Sequence, residues 1–432
     1  MNDLIQCHIK KIVNNGYGLA THQGKTLLVE KVLPNETVLC QPLAIHRSYI
    51  KAEPIKILSP SPFRTSPVCN KNSECGGCDF SYTYYPNQIH VKNAVLKDTI
   101  KRLAGIDISS IKTVPSNKAI GYRSRIRLKI KAHKGTGYFS RGSNNFVPVD
   151  RCPLANFQIR RVQRNISKII SGYSRADQLE EIELISPPRS DRPFAILKSH
   201  DLKHGKELAT EFLKEALLSG AMICNYNSRI ILGNKYIDWP YEINTSYGTK
   251  QFIIKTEPGC FSQINWSQNL KVINDIVEVT NKLGCKKILD LYSGFGNIAI
   301  SLATLGKTVL AIEQNRQAVL SLKNNIKLLG LDNIKAKCTY SGKALREIRK
   351  MGQTFNMCIV DPPRAGIRKE TLTRLVNMKF QHLLYLSCNP ATLARDLKVL
   401  CKAGYNVSHI TIYDFFPQTW HIETLTRLDL ST

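Results

Sequence analysis

Residues 286–300 read KKILDLYSGFGNIAI. An apolar run, KKILDLY (286–292), ends in a glycine loop and passes at once into NIAISLATLG (297–306), whose spacing is helical. A strand, a glycine turn and a helix N-terminus make a place where a ligand can approach the backbone closely. The same alternation continues on both sides. The helical SQNLKVINDIVEVTNKLG (267–284) leads in. Strand TVLAIE (308–313), helix RQAVLSLKNNIKLLG (316–330), and strands NMCIVD (356–361) and HLLYLSC (382–388) follow. From about residue 270 the chain is therefore predicted to be a doubly wound α/β domain.

The loop itself narrows the ligand. Gly294 and Gly296 occupy two places of a dinucleotide fingerprint, and Ala299 stands at the third, so the spacing alone leaves NAD open. Asp290 and Asn297 make the loop polar and acidic, and Glu313 closes the next strand where it can accept from both ribose hydroxyls. DPPRAG (361–366) adds Asp361 to the same strand-end crevice. That acidity disfavours a pyrophosphate and suits the cationic, phosphate-free S-adenosylmethionine.

Farther out the texture differs. Residues 3–58 alternate apolar and polar in short bursts, with turns at Asn14-Asn15-Gly16, Gln23-Gly24 and Pro34-Asn35, and predict a small β-barrel. SPSPFRTSP (59–67) reads as a linker. Val91, Val95, Leu96 and Ile100 lie at helical spacing and Gly105 closes that helix. Residues 120–255 alternate again and predict a mostly antiparallel middle domain.

At 432 residues the chain is long enough for two or three domains. No apolar run approaches the length of a membrane span, and the opening residues lack a signal-peptide layout, so a cytoplasmic protein without membrane attachment is expected. A monomer is expected as well. Sixty-one Lys plus Arg against 33 Asp plus Glu leave a net charge of +28, spread along the chain. Nucleic acid is the partner such a surface fits, against the competing reading of a lysine-rich proteome.

Thirteen cysteines in a reducing compartment are not read as disulfides. CNKNSECGGC (69–78) sets Cys69, Cys75 and Cys78 close together, and Cys152, followed by proline, offers a fourth ligand. The spacing predicts a metal centre and leaves zinc and iron–sulfur both open. Cys388 ends an apolar strand ahead of Asn389-Pro390, whose turn would expose the thiol to the crevice. Downstream, Glu423 sits inside FFPQTWHIETLTRL (415–428), where burying a carboxylate is costly unless it has a partner or a task. A thiolate and a carboxylate base beside a methyl donor fit one reaction: thiolate addition to uracil carbon 6, methylation at carbon 5, and removal of the carbon-5 proton.

The ordered set CNKNSECGGC, DRCPL, FSQIN, DLYSGFGNIAI, DPPRAG, SCNP and FPQTWHIE resembles the RNA 5-methyluridine methyltransferases, above all their iron–sulfur-containing 23S rRNA branch. The resemblance implies an RNA-binding TRAM barrel of the OB kind for 1–58. It implies a central domain over 59–90 and 118–255, and a Rossmann-like class I methyltransferase domain over 91–117 and 256–432. It implies a [4Fe–4S] cluster on Cys69, Cys75, Cys78 and Cys152, with Cys388 as nucleophile and Glu423 as proton acceptor. Gln263, Tyr292, Asn297, Glu313 and Asp361 match its cofactor-contacting positions. Ser341 stands where Asp or Asn is frequent near the adenine, and Phe261 matches an aromatic that stacks near the flipped base. Gln418 stands where many members have histidine. The implied substrate is 23S rRNA at the site equivalent to U1939. Uridine 54 of tRNA and the U747-equivalent site are the alternatives, and a non-catalytic ribosome-assembly factor is the reading from another class.

Overall fold

The computed structural model describes residues 4–245 and 248–431. Its first unit follows from period-two patterning. β1 (Ile5–His8), β2 (Lys11–Ile12), β3 (Gly18–His22), β4 (Lys25–Val29), β5 (Thr37–Ile45) and β6 (Tyr49–Ser59) form one sheet, ordered β1-β5-β6-β4-β3-β2. Ile5 and Cys7 on β1, and Val38 and Cys40 on β5, alternate inward with outward neighbours, as a one-sided core requires. The sheet curls until β1 packs against β3 and encloses Ile9, Leu27, Val29 and Val32. Asn15, Gln23 and Asn35 hold positive φ at the turns expected from the sequence.

The segment read as a linker is clamped to this barrel. The Arg64 guanidinium donates to both oxygens of the buried Glu36 carboxylate at 2.6 and 2.7 Å, and the Leu33 and Ser61 amides donate to the same carboxylate. Composition showed a Pro- and Ser-rich stretch. It could not show that a carboxylate 28 residues upstream is waiting for its arginine.

Helix α1 (Tyr85–Ala104) ends at Gly105 in the left-handed conformation (φ 75°), and β7 (Lys112–Val114) follows. The central unit comprises β8 (Arg125–Lys131), β9 (Gly135–Phe139), β10 (Phe146–Pro148), α2 (Phe157–Gly172), β11 (Leu179–Ile185), β12 (Phe194–Ser199), α3 (Leu202–Lys214), β13 (Gly220–Cys224) and β14 (Arg229–Gly233). Its sheet runs β10-β9-β8-β11-β12-β13-β14. Every neighbouring pair is antiparallel except β12 and β13, which α3 connects in parallel. Both helices contribute to the same core, through Ile159, Val162, Ile166 and Ile170 of α2 and Leu208 and Phe212 of α3. The strand-like reading of 120–255 did not anticipate them.

The hairpin β15 (Ile237–Thr245) and β16 (Gly248–Thr256) turns toward the C-terminal unit: the Trp239 and Tyr241 rings lie 4.5 and 5.1 Å from that of Trp266. That unit continues with α4 (Trp266–Lys282), β17 (Lys287–Leu291), α5 (Asn297–Ala303), β18 (Thr308–Glu313), α6 (Arg316–Leu328), β19 (Ile334–Cys338) and α7 (Ser341–Lys350). It is completed by β20 (Met357–Val360), α8 (Lys369–Asn377), β21 (His382–Ser387), α9 (Pro390–Lys402), β22 (Tyr405–Tyr413) and β23 (Glu423–Leu430). The sheet order is β19-β18-β17-β20-β21-β23-β22-β7. β17 to β21 run parallel to one another, and β23 runs antiparallel to both β21 and β22. This is the predicted Rossmann-like domain.

Two distant segments complete it. β7 pairs in parallel with β22 at the edge. Val91, Val95, Leu96 and Ile100 of α1 share a core with Leu393, Leu397 and Leu400 of α9. Each such side chain contributes about 1.5–3 kcal/mol when fully buried. The strand order reverses at β17, with β18 on one side and β20 on the other, which opens a crevice at the strand ends. No helix among the described residues is long and apolar enough to cross a membrane.

Candidate active site

The crevice residues arrive on strand ends. Asp290 lies in β17, Glu313 ends β18, Asp361 follows β20 and Cys388 follows β21. Glu423 reaches the same edge for the opposite reason: β23 is antiparallel, so its first residue lies where β21 ends. Ser387 pairs with Thr424, and the next step of that register sets Cys388 across from Glu423. The backbone around Cys388 is shaped by Asn389. Its side chain accepts from the Ala391 amide to cap α9, with Pro390 in the first turn. The expected turn is thus a strand-to-helix junction, and Cys388 is half-buried there.

Burial first, and then neighbouring carboxylate charge, raises three of the crevice carboxylates, Asp290, Asp361 and Glu423, above the usual range. Burial, then the Glu313 charge, pushes Asp361 up to about 7. Burial, then Asp361, pushes Glu423 well above the usual carboxylate range, against the opposing pull of Arg364. Burial, then Asp361 and Glu313, does the same to Asp290. Cys388 is pushed up to about 12 by burial first, then by Glu423 and Asp361, with Arg364 opposing. Such a cluster is short of positive charge.

The cofactor positions expected from the sequence divide into three kinds. The Glu313 carboxylate accepts from the Gly294, Gln314 and Asn315 amides, which fastens the glycine loop to the end of β18. Tyr292 takes a left-handed backbone (φ 63°), a conformation that collects at functional sites, and burial pushes its phenol up to about 12, with Ser341 at the start of α7 opposing. The Asn297 side chain bonds inward instead, to the Tyr241 hydroxyl at 2.7 Å and the Asn269 amide at 2.8 and 2.9 Å. Its offering to the crevice is the helix N-terminus it opens. Both Asp290 carboxylate oxygens are buried and lack a partner at full hydrogen-bond geometry, with the Ala299 amide as the donor beside them. The acidic cradle, the glycine loop and the buried Asp290 carboxylate fit a cationic nucleoside.

Phe261 is 71% exposed, and the Arg125 guanidinium lies 5.8 Å from its ring centroid. Glu183 holds that guanidinium from behind. Gln263, two residues on, uses its carbonyl to accept from the Ser124 hydroxyl. Two residues escaped the sequence reading. Arg364 supplies positive charge against both Cys388 and Glu423, and its side chain meets the His421 ring at 3.3 Å. His421 is held neutral, pushed down to about 3 by burial and then by Arg364. Both lie inside the quoted motifs, DPPRAG and FPQTWHIE, which was the available signal.

Cys69, Cys75, Cys78 and Cys152 line one small cavity together with Arg123, Tyr138, Val149 and Leu154. All four are free thiols. A Cβ on Gly76 would meet the Arg141 amide at 2.9 Å and the Phe139 carbonyl at 3.0 Å, so this glycine lets the cysteine loop lie against the backbone after β9. Among the described residues no group of three or more His, Cys, Asp or Glu side chains is arranged to hold a metal ion.

The chain is similar to an uncharacterized RNA methyltransferase of Caldanaerobacter subterraneus, with 30% identity over 98% of this chain and 97% of the relative. It is 29% identical to the 23S rRNA (uracil(1939)-C(5))-methyltransferase RlmD of Shewanella baltica, over 98% and 95% of the two chains. Among solved structures, the tRNA (uracil-54, C5)-methyltransferase of Pyrococcus abyssi in complex with S-adenosyl-L-homocysteine shares the fold. Its TM-score is 0.77 at 22% identity, over 98% of this chain and 100% of that one. A family model described as tRNA (Uracil-5-)-methyltransferase matches residues 84–429, from the start of α1 into β23. On that match, which spans the central and catalytic sheets alike, the chain belongs to the tRNA (uracil-5-)-methyltransferase family.

Proposed function

We propose that this protein transfers a methyl group from S-adenosylmethionine to carbon 5 of a uridine in 23S rRNA, at the site equivalent to U1939. The observation that carries the reading is the antiparallel register that sets Cys388 across from Glu423 beside Asp361. The bound sulfonium supplies an electrophilic methyl group and the positive charge that the carboxylates lack. Asp361, Glu313, Tyr292, Ser341, Gln263 and the helix start at Asn297 are the residues that would hold it.

The protein's own part is acid–base and covalent. The Cys388 thiol first gives its proton to solvent; its sulfur then forms a bond to uracil carbon 6, and the electron pair of the 5,6 double bond moves into the enolate, which makes carbon 5 nucleophilic. After carbon 5 is methylated, the Glu423 carboxylate takes its proton. The electron pair left behind restores the double bond and expels the thiolate. A carboxylate held well above its usual range is a better base than a solvated one. Arg364, adjacent to both groups, favours their anionic forms. Phe261, exposed and backed by Arg125, is placed to stack against an extruded base, which costs a few kcal/mol to unstack.

The same reading assigns the barrel (1–58) as a TRAM RNA-binding domain, 59–90 with 118–255 as the central domain, and 91–117 with 256–432 as the methyltransferase domain, in a cytoplasmic enzyme. Cys69, Cys75, Cys78 and Cys152 would hold a [4Fe–4S] cluster. A cubane takes one thiolate at each iron corner, so its ligands surround a cavity instead of converging on a point. The thiol set around one cavity and the Arg123 charge on its wall support it. Uridine 54 of tRNA is the second reading, favoured by the full-length likeness of fold to the Pyrococcus abyssi enzyme.

Cys388→Ala should abolish methylation and leave RNA affinity within a few-fold; residual turnover sinks the nucleophile assignment. Glu423→Gln should trap a protein–RNA adduct that survives a denaturing gel. Mapping 5-methyluridine in 23S rRNA and tRNA from a deletion strain, with and without the restored gene, decides between the substrates.

A further inference from the structure

Glu423 opens β23, and the loop that delivers it, residues 414–422, is gripped from outside its own sheet. The Asp79 and Phe80 amides, directly after Cys78, both donate to the Gln418 carbonyl, at 2.9 and 3.0 Å. The Asp79 carboxylate accepts from the Trp420 amide at 3.3 Å and is itself held by Arg141 at 2.7 Å. From α1, Gln88 and Gln418 form a reciprocal pair. The Gln418 amide donates to Gln88 Oε1 at 2.8 Å, and Gln88 Nε2 donates to Gln418 Oε1 at 3.0 Å and to the Phe80 carbonyl at 3.0 Å. Tyr122, beside the cavity-lining Arg123, donates to the Pro417 carbonyl at 3.0 Å.

Gln418 is the point where these contacts meet. It is 3% exposed and holds a left-handed backbone (φ 70°), which a non-glycine residue adopts only when its surroundings enforce it. Its Nε2 donates to the Ala119 carbonyl at 3.3 Å, so its side-chain amide and its backbone are both engaged. None of these bonds touches β21 or α9, which carry Cys388. The hydrogen bonds from the cysteine-bearing segment thus reach the loop before Glu423, while the β21–β23 register sets Glu423 across from Cys388.

We propose that the four-cysteine segment is a positioning element for Glu423, and that Gln418 is the positioning residue through which it acts. This rests on the proton-acceptor role proposed for Glu423. Loosening the loop leaves thiolate addition and methyl transfer in place and slows only the removal of the carbon-5 proton. A base displaced by about an ångström loses much of its effect. The enzyme then stalls as its covalent adduct.

The test uses the full-length protein and an RNA fragment containing the target uridine. In Gln418→Ala and Gln88→Ala, turnover should fall at least tenfold while the fraction of protein in denaturant-stable adduct rises. KM for the RNA and for S-adenosylmethionine should stay within about twofold. Glu423→Gln is run in parallel: if it forms no adduct, the proton-acceptor reading fails independently of this one. If Glu423→Gln accumulates adduct but the two loop variants lose turnover and adduct together, or lose neither, the positioning proposal is overturned. Hydrogen exchange gives a readout free of activity. In Cys78→Ser, and separately in Asp79→Ala, which keeps all four cysteines, peptide 415–422 should exchange at least tenfold faster while β17–β20 stay protected. Unchanged protection of that peptide in both variants refutes the coupling.

Discussion

At the scale of single residues, the crevice is defined by a charge deficit. Asp361, near 7, is the member whose titration falls in an accessible range, and its sign can be worked through. Its pKa is raised on folding, so its contribution to stability is fully present below the ordinary aspartate value of about 3.9 and is lost as pH rises through about 7. The ligand-free protein should therefore lose thermal stability between those limits, and Asp361→Asn should flatten that part of the profile. Affinity for S-adenosylmethionine should run the other way, strengthening as pH rises through about 7, because the ionised carboxylate meets the sulfonium. Calorimetry in buffers of different ionisation enthalpy should show proton release on binding near pH 6.5–7. A pH-independent affinity would remove Asp361 from the sulfonium site. Cys388, Glu423 and Asp361 were legible in the sequence because chemistry-bearing residues at apolar strand ends stand out. Arg364 was not, because its role comes from where its loop docks: its carbonyl accepts from the Asn389 side chain at 3.1 Å, beside the nucleophile.

At the scale of elements, β17, β18, β20 and β21 were readable from their apolar runs, whereas β19, IKAKC, buries only its first residue and was not read. TVLAIE coincides with β18, and the other three agree within a residue or two. Helix α2 was missed for an identifiable reason. Its residues 159–164, IRRVQR, are dominated by arginine, whereas Ile159, Val162, Ile166 and Ile170 fall on one buried face with Arg161 and Arg164 exposed on the other. Helix α1 was found, but its anchor was not. Lys92 is buried with Asp414, Nζ to Oδ1 at 2.6 Å, and also donates to the Phe416 carbonyl at 2.9 Å. Lys92→Met removes one partner and leaves a buried carboxylate. It should cost about 3–5 kcal/mol in denaturant unfolding, and Lys92→Met with Asp414→Leu should recover much of that loss. If the single substitution costs under about 1 kcal/mol, the pair is not the anchor that its burial implies.

At the scale of the whole molecule, a net charge of +28 suits a polyanionic partner. RNA affinity should fall steeply between 50 and 200 mM salt, and the slope of log K against log salt counts the phosphates contacted. Excising residues 1–58 should lower that slope if the barrel grips RNA; an unchanged slope would assign the grip to the central and catalytic units. Protein purified without oxygen should be brown and carry about four irons per chain, and stoichiometric zinc would replace the cluster by a four-thiolate zinc site. The segment between barrel and α1 belongs to this scale as well. Arg64 and Glu36 make it a fixed strut, so the barrel is docked by an ion pair instead of swinging on a tether.

By itself the sequence determined the layer structure, the glycine loop, the acidic strand ends and the two chemical groups. Each of these is a local pattern of polarity, period or residue type. Only the tertiary structure decided who meets whom. The antiparallel β23 brings Glu423 to Cys388, and α1 and β7 return across the central unit to the catalytic sheet. The amides after Cys78 close on Gln418. The physical reason is the same in each case: hydrogen bonds and ion pairs between segments up to 341 residues apart depend on register and docking, and neither is written in any window of sequence.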